Sequence, residues 1–381
     1  MQNIDNQMVT VEEVRTRRQQ KEFVDFPLHL YRNCPNYIPP IYMDERKIFS
    51  KNNVYSDTCE SVFFNAYRDG QMAGRVHGII QRVANEKYNR RRVRFTRLDF
   101  IEDFEVAKAL FEALSNWAKS RGMDTLAGPL GASDLEREGL LIEGFDIPGT
   151  FEEQYNYPYY REFMERLGFV KEVDWNESHL YLPDAQTCQE LQQMSDFVAR
   201  RYKLHFGQAR NTRDFLKRYA DEVFALIDKS YDLLYGTVPF TENMKQMMID
   251  NFKLVIDMKY VAVILDEHDK MVCFGICFPS LADVFPKSGG RITPGALWRL
   301  WKALKHPKVI DCALIGVDPE YLNRGISVMV SAALVRMLSE QGIEYAETNI
   351  NLEENWAIQN QWKRFRREIV RRRRAYMKPV V

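Results

Sequence analysis

The sequence predicts an α/β fold, with mixed α+β sheets, arranged as two similar lobes. Three observations carry that prediction. At 381 residues the chain is long for one hydrophobic core, and two domains are the natural division. Short β-patterned runs alternate with amphipathic helical runs, which calls for sheets covered by helices. The order of these runs in the first half also recurs in the second, as an internal duplication would.

Val9 to Arg15 reads as an opening strand and Gln19 to Tyr31 as a helix stopped before Pro35. Asn36 to Met43, with Tyr37, Pro39, Pro40 and Tyr42, is a connector. Ser61–Tyr67 and Met72–Arg82 flank Asp69-Gly70, a strong hairpin signal. A strand at Arg94–Phe100 leads into a helix at Phe104–Lys119, with Val106, Leu110, Phe111, Leu114 and Trp117 on one stripe. Thr125–Gly128 returns as a strand, Tyr159–Leu167 is a helix closed by Gly168-Phe169, and Val170–Trp175 and His179–Leu182 read as two final strands.

A helical connector, 184–204, separates this first domain, 1–183, from a second, 205–381. There, Arg213–Tyr231 and Glu242–Phe252 are helices, and Tyr260–Leu265 and Met271–Phe278 form a hairpin around Asp266–Lys270. An insertion, Pro279–Pro307, contains a helix at Ala296–Leu304 that carries Trp298 and Trp301. Val309–Val317 is short and apolar enough to be a buried strand, Pro319 stops it, and Ser327–Met337 has helical spacing. A strand at Glu344–Asn351, a helix at Trp356–Phe365 and a basic strand at Glu368–Met377 complete the domain.

Composition narrows the function. Lys and Arg number 53, as do Asp and Glu, and a formal charge of zero argues against wholesale nucleic-acid binding. The N-terminus, Met1–Thr10, is polar and no apolar run reaches the ~18–20 residues of a membrane span, so a cytoplasmic protein is expected. Cys34, Cys59, Cys188, Cys273, Cys277 and Cys312 show no paired spacing, and the six histidines are scattered, which favours buried free thiols and no metal site. Even spacing puts Cys273 and Cys277 on one strand face with Gly275. Two arginine-rich runs, Arg90–Arg94 and the C-terminal set from Lys363 to Lys378, read first as solvated surface charge. They also suit the phosphates of a cofactor or an anionic bilayer.

The segment Tyr321-Leu322-Asn323-Arg324-Gly325-Ile326-Ser327 joins a buried strand to a helix start, with a glycine that lets a ligand approach the main chain. Free backbone N–H groups and the helix dipole there suit a phosphate or pyrophosphate, and Arg324 adds a positive charge. An ordinary strand-turn-helix with a solvated arginine is the alternative. The order Val317, Pro319, Arg324, Gly325, Ile326 resembles the acyl-CoA-binding segment of the GNAT superfamily of acyl-CoA N-acyltransferases, with Leu322 and Ser327 in place of its usual Arg/Gln and Gly/Ala. Tyr160–Leu167 followed by Gly168-Phe169 resembles the late helix and Gly-Phe ending of the same family.

The resemblance implies tandem GNAT-like domains, acetyl-CoA or a longer acyl-CoA as acyl donor, and a small-molecule or lipid amine as acceptor. Val317, Leu322, Asn323, Arg324, Gly325, Ile326 and Ser327 would hold the donor, with Asn355 matching a family asparagine at the next helix start. The backbone N–H near Val317 would stabilise the oxyanion. Period-two alternation puts Tyr345, Glu347, Asn349 and Asn351 on one strand face, where Glu347 is the candidate base and Tyr345 the candidate donor to sulfur. A hydrogen-bonded polar seam is the alternative. Trp362 stands where the family usually has a tyrosine, and an indole cannot serve as an acid. In the first domain Ile101-Glu102-Asp103-Phe104-Glu105 puts carboxylates where a pyrophosphate would sit, so that half is expected not to bind CoA.

The glycine-punctuated loop from Gly128 to Asp146 contains Asp134, Glu136, Glu138, Glu143 and Asp146, an acidic wall suited to a cationic amine or a cover for a sheet edge. It is similar to a loop in bacterial two-lobed GNAT proteins, some of which are long-chain N-acyltransferases of the ceramide-synthase type. Leu322 and Trp362 favour a rival reading, a degenerate domain pair that binds CoA, a lipid or a partner without chemistry. Acyl-chain length and oligomeric state stay open.

Overall fold

The computed structural model describes residues 9–380; residues 1–8, most of the polar N-terminus, and 381 lie outside the described residues. Two compact units divide at Trp175/Asn176. Phe285–Ala296 and the residues from Arg371 onward belong with the first, while Asn176–Val284 and Leu297–Val370 form the second. The chain thus returns twice to its first unit, at segments that the linear division at 183 and 205 assigns to the second domain.

In the first unit β1 (Val9–Glu13), β2 (Cys59–Arg68), β3 (Gln71–Gln81), β4 (Arg92–Phe100) and β5 (Thr125–Gly128) lie side by side in chain order, and only the β4–β5 pair is parallel. A capping box of Thr16 and Gln19 opens α1 (Arg17–Leu30), which includes Pro27. Two short helices follow, α2 (Tyr42–Lys47) and α3 (Arg82–Lys87). Asp103 caps α4 (Phe104–Ser120) by accepting from the Glu105 N–H, and it also accepts from Arg68. The start of α4 is therefore already occupied by a carboxylate. Val106, Leu110, Phe111 and Leu114 of α4 join Val76, Phe95 and Phe100 in one buried cluster, each fully buried side chain contributing roughly 1.5–3 kcal/mol. Gly74 and Gly78 make that close approach possible, because a Cβ there would lie 2.9 and 2.4 Å from Leu110 Cδ1 and Leu114 Cδ1.

The Gly128–Asp146 loop contains a strand that the sequence does not announce, β6 (Leu140–Glu143). After α5 (Tyr159–Arg166), a single strand, β7 (Val170–Tyr181), replaces the expected pair. The polar run Asn176-Glu177-Ser178 that suggests a break is inside the fold: Glu177 and Ser178 are buried, and the Ser178 N–H donates to Thr348 Oγ1 at 2.9 Å.

The second unit begins within β7 and continues through α6 (Ala185–Tyr202), β8 (His205–Phe206), α7 (Thr212–Tyr231), α8 (Glu242–Phe252), β9 (Val261–Leu265) and β10 (Met271–Pro279). Then come α9 (Pro294–Lys305), β11 (Val309–Val317), α10 (Ser327–Gln341), β12 (Tyr345–Thr348), β13 (Asn351–Leu352), α11 (Trp356–Trp362) and β14 (Arg366–Pro379). Its strands run in the order β7-β12-β11-β10-β9-β8, parallel only at β11–β12. A bulge opposite Ile276/Cys277 puts its extra residue, Ala313, in β11, so alternation along β10 holds: Cys273 clusters with Met329 and Val330 of α10, a Cβ at Gly275 would meet Val330 at 3.0 Å, and Cys277 clusters with Ala333 and Met337, which places all three on one face as expected.

The C-terminal part of β14 pairs antiparallel with β5 and with β6. The basic character of β14 is only partly the expected solvated surface: Arg366 is exposed, but others are not. Arg371 and Arg373 are each 1 % exposed and donate to the carbonyls of Pro148 and Gln154, while Arg374 makes two bonds to Asp174, at 2.8 and 3.0 Å. Arg92 and Arg94 of the other run are also buried, on Glu172 and on the Gly131 carbonyl. Among the described residues no helix is long and apolar enough to cross a membrane, and no cluster of His, Cys, Asp and Glu has metal-holding geometry.

Candidate active site

In the second unit the parallel pair β11–β12 is in register from Val309/Tyr345 to Cys312/Thr348 and stops there. Beyond that point Ala313, Leu314, Ile315 and Val317 are half-buried, still held by β10 on one side. On the other side the pairing with β12 has a gap, which begins where the Asn349 amide donates to the Ala313 carbonyl at 3.3 Å. A strand edge without its ladder partner is a place for an extended ligand to bond.

The floor of the gap is a polar row. Register sets His179 of β7 opposite Glu347 of β12, Glu347 opposite Asp311 of β11, and Asp311 opposite Phe278 of β10. Paired residues project from the same sheet face, so these side chains form one line across four strands. Asp311 is 0 %, Glu347 4 % and His179 9 % exposed. His179 Nε2 lies 3.6 Å from Glu347 Oε1, and its ring stacks on Tyr345 at 4.1 Å between centroids. Tyr345 also meets Tyr181, whose hydroxyl is held up by burial and by its bond to Glu368. The opposite face, with Leu180, Ala346 and Ile310, packs into the apolar cluster of α6, α10 and α11.

Of the expected face, Tyr345 and Glu347 fall within β12. Asn349 lies past its end and Asn351 begins β13, so the four do not share one strand. Asn351 instead accepts from Trp362 Nε1 at 2.7 Å, which makes the 4 % exposed indole a core residue. Asn355 caps α11 through its Oδ1, accepting from the Ile358 N–H. Cys277 and Cys312 are free thiols with sulfurs 3.9 Å apart, and that contact with burial pushes the Cys312 thiol well up, away from a nucleophilic thiolate.

At the far end of β11 the chain turns through a 3₁₀ segment, Pro319–Arg324, to Gly325 at φ +75° and then into α10, whose start no side chain caps. Asp318 opens the turn. Burial opposes its charge, but Lys229 at 2.8 and 2.9 Å and the Glu320 N–H hold its carboxyl below the usual range. Leu322, Asn323, Arg324 and Gly325 are exposed, Ser327 is half-buried and Ile326 is fully buried against Val198 and Met329. Arg324 lies over the Tyr321 ring at 4.6 Å. This exposed, uncapped turn beside the gap fits an anionic, pyrophosphate-like group.

The acidic residues of the Gly128–Asp146 loop all lie in the first unit. Glu136 accepts from the Ala132 N–H at 2.6 Å and pairs with Arg97, which also grips Glu45. Glu138 is 2 % exposed, and burial, with Asp134 nearby, raises its carboxyl well above the usual range. Asp134 is half-buried, Glu143 is exposed 3.8 Å from Arg372, and Asp146 is exposed. The sequence reading does not single out His179, Asp311 or Arg97; the last sits at φ +44° with its guanidinium enclosed by carboxylates.

No family model matches the sequence. Two curated relatives align along most of its length. The protein named Protein YghO of Escherichia coli (strain K12) is 28% identical over 374 residues, 94% of this chain and 93% of that one. The protein named Bacterial ceramide synthase of Caulobacter vibrioides (strain NA1000 / CB15N) is 27% identical over 329 residues, 83% of this chain and 82% of that one. Among solved structures, a tandem GNAT protein from the clavulanic acid biosynthesis pathway matches with a TM-score of 0.52 at 12% identity, covering 98% of this chain and 99% of that one.

Proposed function

From the premise that the chain carries the tandem GNAT fold, we propose that it is an N-acyltransferase that moves an acyl group from a CoA thioester to an amine. The observation that carries this reading is the parting of β11 and β12 immediately beyond the buried Glu347–His179 contact. The donor would lie in the gap, its pyrophosphate on the turn from Leu322 to Ser327 and its carbonyl against the free edge of β11 near Val317. Glu347, with His179 behind it, accepts the proton of the attacking ammonium, directly or through a water. Attack by the amine on the thioester carbon forms the C–N bond; collapse breaks the C–S bond and releases the CoA thiolate, which needs a proton. Trp362 cannot give it, and Tyr345 is the phenol on the Glu347 face. The relative named Bacterial ceramide synthase favours a lipid amine as acceptor and a long acyl chain on the donor.

The test joins binding to turnover. Wild-type protein titrated calorimetrically with acetyl-CoA and with a long-chain acyl-CoA is expected to bind at least one of them. Gly325→Val is expected to lose that binding. Glu347→Gln is expected to keep it and to release thiol roughly 10²–10⁴-fold more slowly in the presence of amine. Binding of neither donor would overturn the reading. Binding without thiol release for any amine would leave a GNAT-fold CoA-binding protein, the reading that Leu322 and Trp362 favour.

A further inference from the structure

The helix α9 departs from the way the other long helices of this chain use their apolar residues. Along Pro294–Lys305 only Ala296 is buried. Leu297 is 54 %, Trp298 61 % and Trp301 55 % exposed, and Ile292 just ahead of the helix is 60 % exposed. Positions 297, 298 and 301 fall on one side at helical spacing, so two indoles and a leucine form a single projecting apolar stripe. Large aromatic side chains in such a cluster are costly to leave in water and mark a surface that meets something.

The charge around the stripe identifies what it meets. From Val284 to Ile310 the sequence has no carboxylate and carries Lys287, Arg291, Arg299, Lys302, Lys305 and Lys308, in a chain whose formal charge is zero. Three of these cations are engaged within the protein. Arg291 is 3.7 Å from Asp25, Arg299 Nε donates to the Val284 carbonyl, and Lys308 is 3.1 Å from Glu344. Lys302 and Lys305 remain exposed on the last turn and a half, with Lys302 Nζ 5.8 Å from the centre of the Trp298 ring. Indoles projecting beside exposed lysines are the arrangement by which a helix lies in a bilayer interface, the rings at headgroup depth and the ammonium groups on anionic phosphates. A protein partner would be served by the apolar stripe alone; the absence of any acidic residue over the whole segment favours a uniformly negative surface.

We propose that α9 docks the protein peripherally on an anionic lipid bilayer, with Leu297, Trp298 and Trp301 inserted and Lys302 and Lys305 on the headgroups. This moves to α9 the membrane-facing role that the arginine runs suggest in the sequence, since Arg92, Arg94, Arg371 and Arg373 of those runs are buried. The inference is independent of the acyl-transfer chemistry, and its test needs no turnover.

Purified full-length protein is mixed with vesicles of phosphatidylcholine containing about 30% phosphatidylglycerol, or of phosphatidylcholine alone, and sedimented at low and at high salt. Wild-type protein is expected to pellet with the anionic vesicles, to be released by salt, and to show a blue shift of tryptophan emission. Trp298→Ala/Trp301→Ala is expected to lower the bound fraction at least about tenfold, with an unchanged melting temperature because both rings are exposed. Lys302→Gln/Lys305→Gln is expected to remove the preference for anionic vesicles. Wild-type protein that stays in the supernatant with anionic vesicles at low salt would overturn the proposal, as would equal pelleting of the tryptophan variant. A concentration-dependent dimer in solution that this variant turns into monomers, without vesicle binding by the wild type, would assign the stripe to a second copy instead.

Discussion

At Glu138 burial changes what a carboxylate can do. With 2 % of its surface exposed and Oε1 without a hydrogen-bond partner among the described residues, it is held well above the usual carboxylate range by burial first and by Asp134 second, with Arg94 opposing. A group whose protonated form is favoured in this way attracts an ammonium less than a solvated carboxylate does. Because the folded protein binds this proton more tightly than the unfolded chain, the contribution to stability falls as pH rises from the unfolded value of about 4.3 toward the folded one. Glu138→Gln is therefore expected to gain melting temperature over the wild type at pH 8 and to gain less at pH 4; a difference that does not change with pH would refute the assignment. The same scale separates what the sequence reveals from what it hides. Glu347 is legible because alternation along one strand is a local property. His179 and Asp311 are not, because their value depends on register between strands far apart in the chain.

Elements were legible where one period dominates. The hairpin at Asp69-Gly70, the amphipathic α4 and the strand-turn-helix around Gly325 needed only local pattern, and their bounds move by a few residues at most. Strands β6 and β7 were obscured for one reason: each carries polar or glycine-flanked residues whose burial is decided by partners elsewhere. The segment Phe285–Ala296 makes the same point and supplies a prediction. Gly290 has φ +76°, its carbonyl accepts from the Tyr42 N–H at 2.9 Å, and a Cβ there would lie 1.9 Å from the Pro40 carbonyl oxygen. Backbone cannot yield as a side chain can, so Gly290→Ala is expected to destabilise the protein by on the order of 2–4 kcal/mol in urea unfolding. Gly325 gives the contrasting case. A Cβ there meets only Val198 Cγ2 at 3.7 Å, so Gly325→Ala carries the left-handed strain of about 1–2 kcal/mol and little more, and Gly325→Val a larger strain. Loss of donor binding by Gly325→Val with its cooperative unfolding retained then reports on the turn and not on unfolding.

For the whole molecule, the consequence of the chain path is that each compact unit draws residues from both halves of the sequence. Residues 371–380 complete the first unit in three ways. Tyr376 joins the apolar cluster of β3, β4 and α4; Lys378 Nζ donates to the Leu167 carbonyl; and Arg374 donates two hydrogen bonds to Asp174, which is itself fully buried. Removing the strand leaves the carbonyls of Pro148 and Gln154 without these donors, leaves the buried Asp174 with Lys171 at 3.1 Å as its remaining cation, and opens the cluster at Tyr376, and losses of buried partners of this kind cost several kcal/mol together. That loss is comparable with the ~5–15 kcal/mol that holds a typical domain together. Fragment 1–183, the first domain as composition and periodicity divide it, is therefore expected not to fold alone, and far-UV circular dichroism with urea should give no cooperative transition. Adding a peptide spanning 366–381 is expected to restore one, because the peptide supplies the missing strand, with Arg372, Arg373 and Arg374 in register with β6 and Tyr376–Pro379 with β5. A sharp transition from fragment 1–183 without the peptide would mean that the C-terminal strand decorates the first unit instead of completing it.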